Sequence, residues 1–128
     1  MAKTRQLTIA VQNRPGAVAE IARTLGDAKV NILALSGTAQ GTSGTVQLVV
    51  QDSRRAKKAL DEAKLSYQET AAEEYELPNK PGALAQYLDK LAAKGVNLNS
   101  IYATATKGGK KAVVVYAAEA EAKASIAA

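Results

Sequence analysis

The chain has 128 residues, 47% of them hydrophobic, which is enough for the core of one ordinary domain or of two very small ones. It contains no cysteine and no histidine, which excludes disulfides, thiolate metal sites and a Ser-His-Asp triad. The net charge of +5 lies in the first half, because residues 1–66 hold ten Lys and Arg against five Asp and Glu, while residues 67–128 hold seven of each. No apolar stretch has the length of a signal peptide or a membrane span, so we expect a cytoplasmic protein with no membrane partner.

The first half predicts six elements in the order strand, helix, strand, strand, helix, strand. Leu7, Ile9 and Val11 alternate with polar residues along the first strand. In the first helix Val18, Ile21, Ala22 and Leu25 are spaced to form one buried face, and Ser53 is the expected N-cap of the second helix. The predicted elements are strand 5–12, helix 18–25, strand 30–36, hairpin connection 37–44, strand 45–51, helix 54–64 and strand 65–70.

The second half predicts the same order with one strand fewer. Its first helix is expected to bury Leu84, Tyr87, Leu88 and Leu91. The predicted elements are strand 72–77, helix 82–94, strand 96–105, turn 107–110, strand 111–117 and helix 119–127. The prediction is therefore an α+β chain of two ferredoxin-like βαββαβ modules, residues 1–70 and 71–128. Each has an antiparallel sheet with helices on one face, and the second lacks its last strand, so its sheet edge is open or covered by another element.

The two halves share a sequence repeat at a constant offset of 66. Residues 13–32 (NRPGAVAEIARTLGDAKVNI) and 79–98 (NKPGALAQYLDKLAAKGVNL) are identical at eight of twenty positions. Both contain Asn-Arg/Lys-Pro-Gly-Ala before a helix and Val-Asn-Ile/Leu before a strand. Duplication of one module explains this better than coincidence.

The repeated turn has the chemistry to hold a small zwitterion. Glycine permits a tight turn and a close approach to the backbone, and the following helix start exposes N–H groups that favour a carboxylate. Asparagine carbonyl oxygens can accept from an ammonium group. An α-amino acid fits this combination. The alternative is that Pro-Gly is only a turn and asparagine only a cap, and duplication would preserve those roles too.

These residues resemble the ACT domain family in a tandem arrangement. The resemblance rests on Asn13 to Val18 with Val30 to Ile32, and on Asn79 to Leu84 with Val96 to Leu98. It implies βαββαβ modules that pair side by side or across a dimer and bind an amino acid at their interface. It also implies that the turn and strand asparagines hold the ligand, and that Ile32, Leu33, Leu98 and Asn99 shape the side-chain pocket. The expected ligand-binding residues are Asn13, Arg14, Pro15, Gly16, Ala17, Asn31, Ile32, Leu33, Asn79, Lys80, Pro81, Gly82, Ala83, Asn97, Leu98 and Asn99.

Other chemical signals are weaker. Gly37, Gly41 and Gly44 lack the Gly-Lys-Ser/Thr ending of a phosphate loop. Glu73, Glu74 and Glu76 fit a solvated strand better than a cation site, and the tyrosines of the predicted strands, Tyr67, Tyr75, Tyr102 and Tyr116, are expected to be half-buried. The cluster at residues 54–58 has no aromatic for base stacking, so a solvated helix face is favoured over an anionic partner.

The sequence thus predicts a non-catalytic, homodimeric regulatory or sensor protein that binds a small amino acid, without cofactor, metal or nucleic acid. The alternative is a regulatory or interaction subunit that pairs with a separate enzyme of amino-acid metabolism or a transcription factor. An enzyme in its own right is disfavoured, because no nucleophile setting is recognisable.

Overall fold

The computed structural model describes residues 2–118, and their architecture is α+β with six strands and three helices in the described part. The predicted helix at 119–127 lies outside the described residues. The elements are β1 (Ala2–Gln12), α1 (Ala17–Asp27), β2 (Ile32–Gln40), β3 (Ser43–Val50), α2 (Ser53–Glu62), β4 (Gln68–Pro78), α3 (Ala83–Ala93), β5 (Leu98–Ala105) and β6 (Lys111–Ala118).

The chain divides into two compact units, and residues 5–70 form the first. Its strands are hydrogen-bonded in the order β2-β3-β1, with the start of β4 beside β1. The pairs are antiparallel, and Leu48 of β3 lies opposite both Leu7 and Leu35. Both helices pack on the same face, where Leu7, Ile9, Ile21, Leu25, Val46, Leu48 and Leu60 form an aliphatic core. This unit has the βαββαβ order expected from its sequence.

The second unit consists of residues 71–118 together with residues 2–4. Its strands follow the order β4-β6-β5, with antiparallel pairs such as Tyr75 opposite Val114 and Tyr102 opposite Val115. The first residues of β1 lie on the side of β4 that β6 leaves open. The sheet edge that the sequence left undecided is therefore covered, and the covering segment comes from the start of the chain.

Strand β4 differs from the prediction of two short strands at 65–70 and 72–77. It runs unbroken from Gln68 to Pro78, because the intervening Thr70-Ala71-Ala72 contains no glycine or proline that would interrupt it. The start is later than predicted because Lys64 adopts a left-handed backbone (φ 60°) after α2, and Leu65 N donates to Leu60 O. Tyr67 accordingly lies before the strand rather than on it.

The helices differ from the sequence predictions in the N-cap of α2 and in the residues that α1 and α3 bury. Asp52, not Ser53, caps α2, and its Oδ1 accepts from the Arg55 backbone N–H at 3.0 Å. The buried face of α1 is Ala17, Ile21 and Leu25, whereas Val18 is 41% exposed and Ala22 is also exposed. In α3 the buried residues are Ala83, Tyr87 and Leu91, and Leu84 is 38% exposed. The predicted faces were right at Ile21, Leu25, Tyr87 and Leu91, and Leu88 packs against the core at its edge. They were wrong at Val18, Ala22 and Leu84, because periodicity alone does not decide whether the residues at the border of the apolar stripe face the core or solvent.

Two polar predictions in the second unit were also wrong. Glu73 is not solvated but buried, and its side chain shares a sheet face with Tyr75 and Leu77. Tyr116 is fully rather than half buried, whereas Tyr75 and Tyr102 are half-buried as predicted.

Candidate functional site

The turn between β1 and α1 is a compact backbone structure. Arg14 N donates to Gln12 O at 3.0 Å, and Ala17 N donates to Arg14 O at 3.2 Å. Gly16 occupies the N-cap position with a left-handed backbone (φ 86°), a conformation that favours glycine. No side chain caps α1. Because Ala17 N donates to Arg14 O and Glu20 N donates to Gly16 O, the N–H groups of Val18 and Ala19 are the ones left for an external acceptor.

The turn between β4 and α3 repeats this structure bond for bond. Lys80 N donates to Pro78 O at 3.0 Å, Ala83 N donates to Lys80 O at 3.2 Å, and Gly82 has the same φ of 86°. Again no side chain caps the helix. The sequence repeat is therefore also a repeat of backbone geometry.

The turn asparagines use their amide donors within the fold. Asn13 Nδ2 donates to Gly41 O at 2.9 Å, and Asn13 N donates to Thr42 O, so this residue anchors the β2–β3 hairpin. Asn79 Nδ2 donates to Gly109 O at 2.8 Å and to Thr106 O at 3.3 Å in the β5–β6 hairpin. What each asparagine can offer a ligand is its Oδ1 acceptor.

A depression of about 210 Å³ lies beside the first turn. Its lining includes Asn13 and Arg14 of the turn, Ala17 and Val18 of the helix start, and the segment 37–39 of β2. Arg14 is held by Glu20, with Nη2 and Oε1 2.9 Å apart, and both side chains are about half exposed. The depression therefore combines an uncapped helix start, a guanidinium group and an amide oxygen with an apolar wall.

The strand asparagine of the first unit lies at the other end of the module. Asn31 precedes β2, whereas Asn13 contacts the hairpin that follows β2. The nine residues of β2 separate the two side chains by roughly 30 Å at about 3.3 Å per residue. Within one unit the structure brings Asn13, Arg14, Gly16 and Ala17 together, but it does not bring Asn31, Ile32 and Leu33 to them.

Asn31 has cationic surroundings of its own. It lines a shallow depression of about 600 Å³ together with Lys29, Gln51, Asp52, Ser53, Arg54 and Arg55. Its backbone O accepts from Gln51 N at 2.9 Å. Sequence reasoning treated Arg54 and Arg55 as a solvated helix face and overlooked Lys29, because only the fold brings the end of α1 beside the start of α2.

The second unit places its residues in the same way. Asn79, Lys80, Pro81, Gly82 and Ala83 form the turn, whereas Asn97, Leu98 and Asn99 stand at the start of β5, at the far end from the β5–β6 hairpin that Asn79 contacts. Leu98 is half-buried against the core, and Asn97 and Asn99 are exposed. Position 33 of the first unit is an exposed leucine, whereas its counterpart is Asn99.

Residues 2–118 contain neither a metal-binding cluster nor a membrane-spanning helix. No group of His, Cys, Asp or Glu side chains in that range is placed to hold a metal ion. No helix in the same range is long and apolar enough to cross a membrane.

Comparison with known proteins gives a family match for part of the chain and similar folds for nearly all of it. Residues 5–64 match the family model of the ACT domain. Protein BT0572 from Bacteroides thetaiotaomicron has a similar structure, with a TM-score of 0.86 and 29% identity over 98% of this chain and 85% of that one. No curated protein sequence matches the chain.

Two further solved structures are similar in fold. The ligand-free regulatory subunit of aspartate kinase from Thermus thermophilus has a TM-score of 0.71 at 14% identity, covering 98% of this chain and 85% of that one. The regulatory subunit from Thermus flavus has a TM-score of 0.61 at 15% identity, covering 94% and 85%. At these identities they support the fold alone. The match of residues 5–64 to the family model confirms the resemblance to the ACT domain family that was seen in the sequence.

Proposed function

We propose that this protein is a non-catalytic regulator that binds a small α-amino acid at its Asn-X-Pro-Gly turns. The observation that carries the proposal is the occurrence, in both units, of the same left-handed glycine, uncapped helix start and asparagine Oδ1. The ACT domain at residues 5–64 supports a regulatory role. The absence of histidine and cysteine from the sequence fits a protein that senses rather than catalyses.

The first turn suggests how each end of the ligand is held. The N–H groups that open α1 and the guanidinium group of Arg14 suit the carboxylate, since helix starts attract anions. Asn13 Oδ1 suits the ammonium group. A depression of about 210 Å³ is smaller than the roughly 300–1,000 Å³ of pockets for drug-sized ligands, which fits a ligand as small as an amino acid.

The position of the strand asparagines supports a ligand shared between modules. Asn13 and Asn31 lie at opposite ends of one module, and so do Asn79 and Asn97. A ligand that touches both kinds of asparagine must therefore take the turn from one module and the strand from another. This requirement favours a homodimer, in which binding shifts the population of two arrangements of the modules.

Calorimetric titration of the full chain with each of the twenty amino acids tests the proposal. We expect one or a few to bind with a Kd well below about 1 mM, where the free energy of binding exceeds about 4 kcal/mol. Asn13→Asp and Asn79→Asp keep an oxygen acceptor but lose the amide donor, so they report on the hairpin anchor. Asn13→Ala and Asn79→Ala lose both the donor and the acceptor. Both kinds of variant can lower the melting temperature, but we expect only the alanine variants to lose amino-acid binding.

The outcome that contradicts the proposal is equally plain. If none of the twenty binds below millimolar concentration to a folded chain, the protein is not an amino-acid sensor. The second candidate is then a subunit that regulates a separate enzyme or transcription factor by direct contact. It is favoured by the outer strands β2 and β5, neither of which contains a charged residue, and co-purification of a defined partner would support it.

A further inference from the structure

Gly37 is a glycine that the backbone of the first unit does not require. It lies within β2 on the helix-facing side, directly opposite the core residue Val46 of β3. Its backbone is not left-handed, and a Cβ added to it would lie 4.0 Å from Val46 Cγ2, which is ordinary van der Waals contact. Glycine inside a strand costs stability and often marks a place where a ligand or another backbone approaches closely.

The second unit shows that the same position accepts a side chain. Ala103 occupies it in β5, and its partner in β6 is again a valine. Gly44 of β3 provides a contrast within the first unit, because a Cβ there would lie 2.9 Å from Thr38 O, closer than real contacts allow. Gly44 is therefore needed by the hairpin, whereas Gly37 leaves open a space that a methyl group could fill.

The space at Gly37 belongs to the depression of about 210 Å³ beside the first turn. Three valines line the same depression, Val11 of β1, Val18 of α1 and Val46 of β3. Val46 is only 1% exposed, so the depression reaches down to the apolar core. Among the described residues that line it, Arg14 is the only one with a charged side chain.

An amino acid held by the turn would leave its side chain to this apolar wall. The free N–H groups of Val18 and Ala19 and the guanidinium group of Arg14 suit the carboxylate, and Asn13 Oδ1 suits the ammonium group. An aliphatic side chain then gains about 25 cal/mol for each Å² of apolar surface that it buries. A charged side chain would lose water without gaining a partner, and glycine or alanine would leave the space at Gly37 unfilled.

We propose that the first turn binds an amino acid with a branched aliphatic side chain, the class of valine, leucine and isoleucine, and that Gly37 determines this specificity by leaving room for the side chain. The inference rests on the proposed function, because it names the class of ligand for the same site.

The second turn should not share this specificity, because the second unit has larger apolar residues at three corresponding positions. Where the first unit has Val11, Val18 and Gly37, the second has Leu77, Leu84 and Ala103, each larger by one carbon atom. The space for a ligand side chain is expected to shrink accordingly. The first turn is therefore the site of the branched aliphatic ligand, and the second unit supplies the control.

Gly37→Ala tests the proposal, with Ala103→Gly as the matched control in β5. The added methyl group meets no clash, so thermal melts should show Gly37→Ala to be at least as stable as the unaltered chain. Calorimetric titration of the full chain and both variants uses glycine, alanine, valine, leucine, isoleucine, phenylalanine and glutamate.

We expect the unaltered chain to bind valine, leucine or isoleucine most tightly. Gly37→Ala should raise the Kd of that ligand by more than about tenfold and the Kd of alanine by less than about threefold, because one extra methyl group in an apolar pocket discriminates by size. Ala103→Gly should change neither value by more than about threefold.

Several outcomes would overturn the proposal. It fails if phenylalanine or glutamate binds most tightly, or if Gly37→Ala weakens every ligand equally, which would indicate a purely structural glycine. It also fails if binding survives Asn13→Ala and is lost in Asn79→Ala, which would place the ligand at the second turn. Each of these results leaves the amino-acid sensor standing, whereas a folded chain that binds none of the seven ligands or of the other amino acids removes the sensor and the specificity together.

Discussion

The two units keep the same turn and fill the core behind it differently. Four core positions of the first unit, Leu7, Ile9, Ile21 and Val50, correspond at the 66-residue offset to Glu73, Tyr75, Tyr87 and Tyr116. The first core is aliphatic. In the second, the rings of Tyr75 and Tyr87 stack with centroids 4.4 Å apart, and the hydroxyls of Tyr87 and Tyr116 are 3.5 Å apart.

The carboxyl of Glu73 is the sharpest difference between the units. It occupies the position of fully buried Leu7, it is only 6% exposed, and Oε1 accepts no hydrogen bond in the described part of the chain. A buried polar atom without a partner costs free energy, so the second unit is stabilised less by this position than the first. The two units share the backbone hydrogen bonds of the turn. The side chains that fill the core behind the turn differ between them.

Exchanging the two residues should give the largest effect. Leu7→Glu places an unpaired carboxylate in an aliphatic core and should lower the free energy of unfolding by about 3–5 kcal/mol. The reciprocal Glu73→Leu should raise it. Urea titration measures both, and hydrogen exchange of peptides from residues 5–70 and 71–118 assigns each change to a unit. Equal losses for the two variants would contradict the comparison.

The two units should respond to pH in opposite directions, with effects of about 1–2 kcal/mol. Burial raises the pKa of Glu73, and nearby Lys3 opposes this shift only in part. Because the folded state holds this proton more tightly than the unfolded chain, the contribution of Glu73 to stability is present below its ordinary pKa and is lost as the pH rises through the folded value.

Glu69 of the first unit provides the contrast. Hydrogen bonds from Lys57, 3.1 Å away, and from Arg5 lower the pKa of Glu69, so its contribution is present above the ordinary carboxyl pKa and is lost as the pH falls through the lowered value. Glu73→Gln should therefore stabilise the chain at pH 8 and have little effect at pH 4, whereas Glu69→Gln should destabilise it at pH 6 and pH 8 and less at pH 4. Urea titrations at pH 4, 6 and 8 distinguish these slopes, and parallel slopes for both variants would refute the assignment.

Substitutions in the two turns should destabilise the two units equally. Gly16→Ala and Gly82→Ala each force an L side chain into the left-handed region and should each cost about 1–2 kcal/mol, because an added Cβ meets no close neighbour at either site and the backbone strain is the same. Thermal melts measure the two shifts in Tm. A difference between the variants larger than the effect itself would show that the turns are not structurally equivalent.

The sequence predicted the features that depend on local pattern, namely most of the strands and the order of elements. It missed features that depend on tertiary packing, such as which helix residues are buried. Alternation and helical periodicity correctly predicted β1 and the order of elements in the first unit, and the turn motif carried the resemblance to the ACT domain that residues 5–64 match. The buried faces of α1 and α3 were wrong at Val18 and Leu84, because helical periodicity alone fits a large residue facing either the core or the rim of the core.

The sequence predicted which residues have the chemistry of the candidate site, but it did not predict which of them lie close together. The turn residues cluster because they are consecutive. Asn13 and Asn31 were grouped by chemistry, but a whole strand lies between them, and Glu73 was placed in solvent because a charged residue in an alternating strand usually is.

The pairing of residues 2–4 with the second unit sets an order in which that unit can be completed. Its strand β4 begins some seventy residues later in synthesis than the segment that flanks it. The second unit must therefore close a long loop before its sheet is whole, whereas the first unit needs only residues 5–70. A fragment that starts at residue 71 lacks this flanking segment, and adding a peptide that contains residues 2–4 in trans should restore protection from hydrogen exchange along that side of β4.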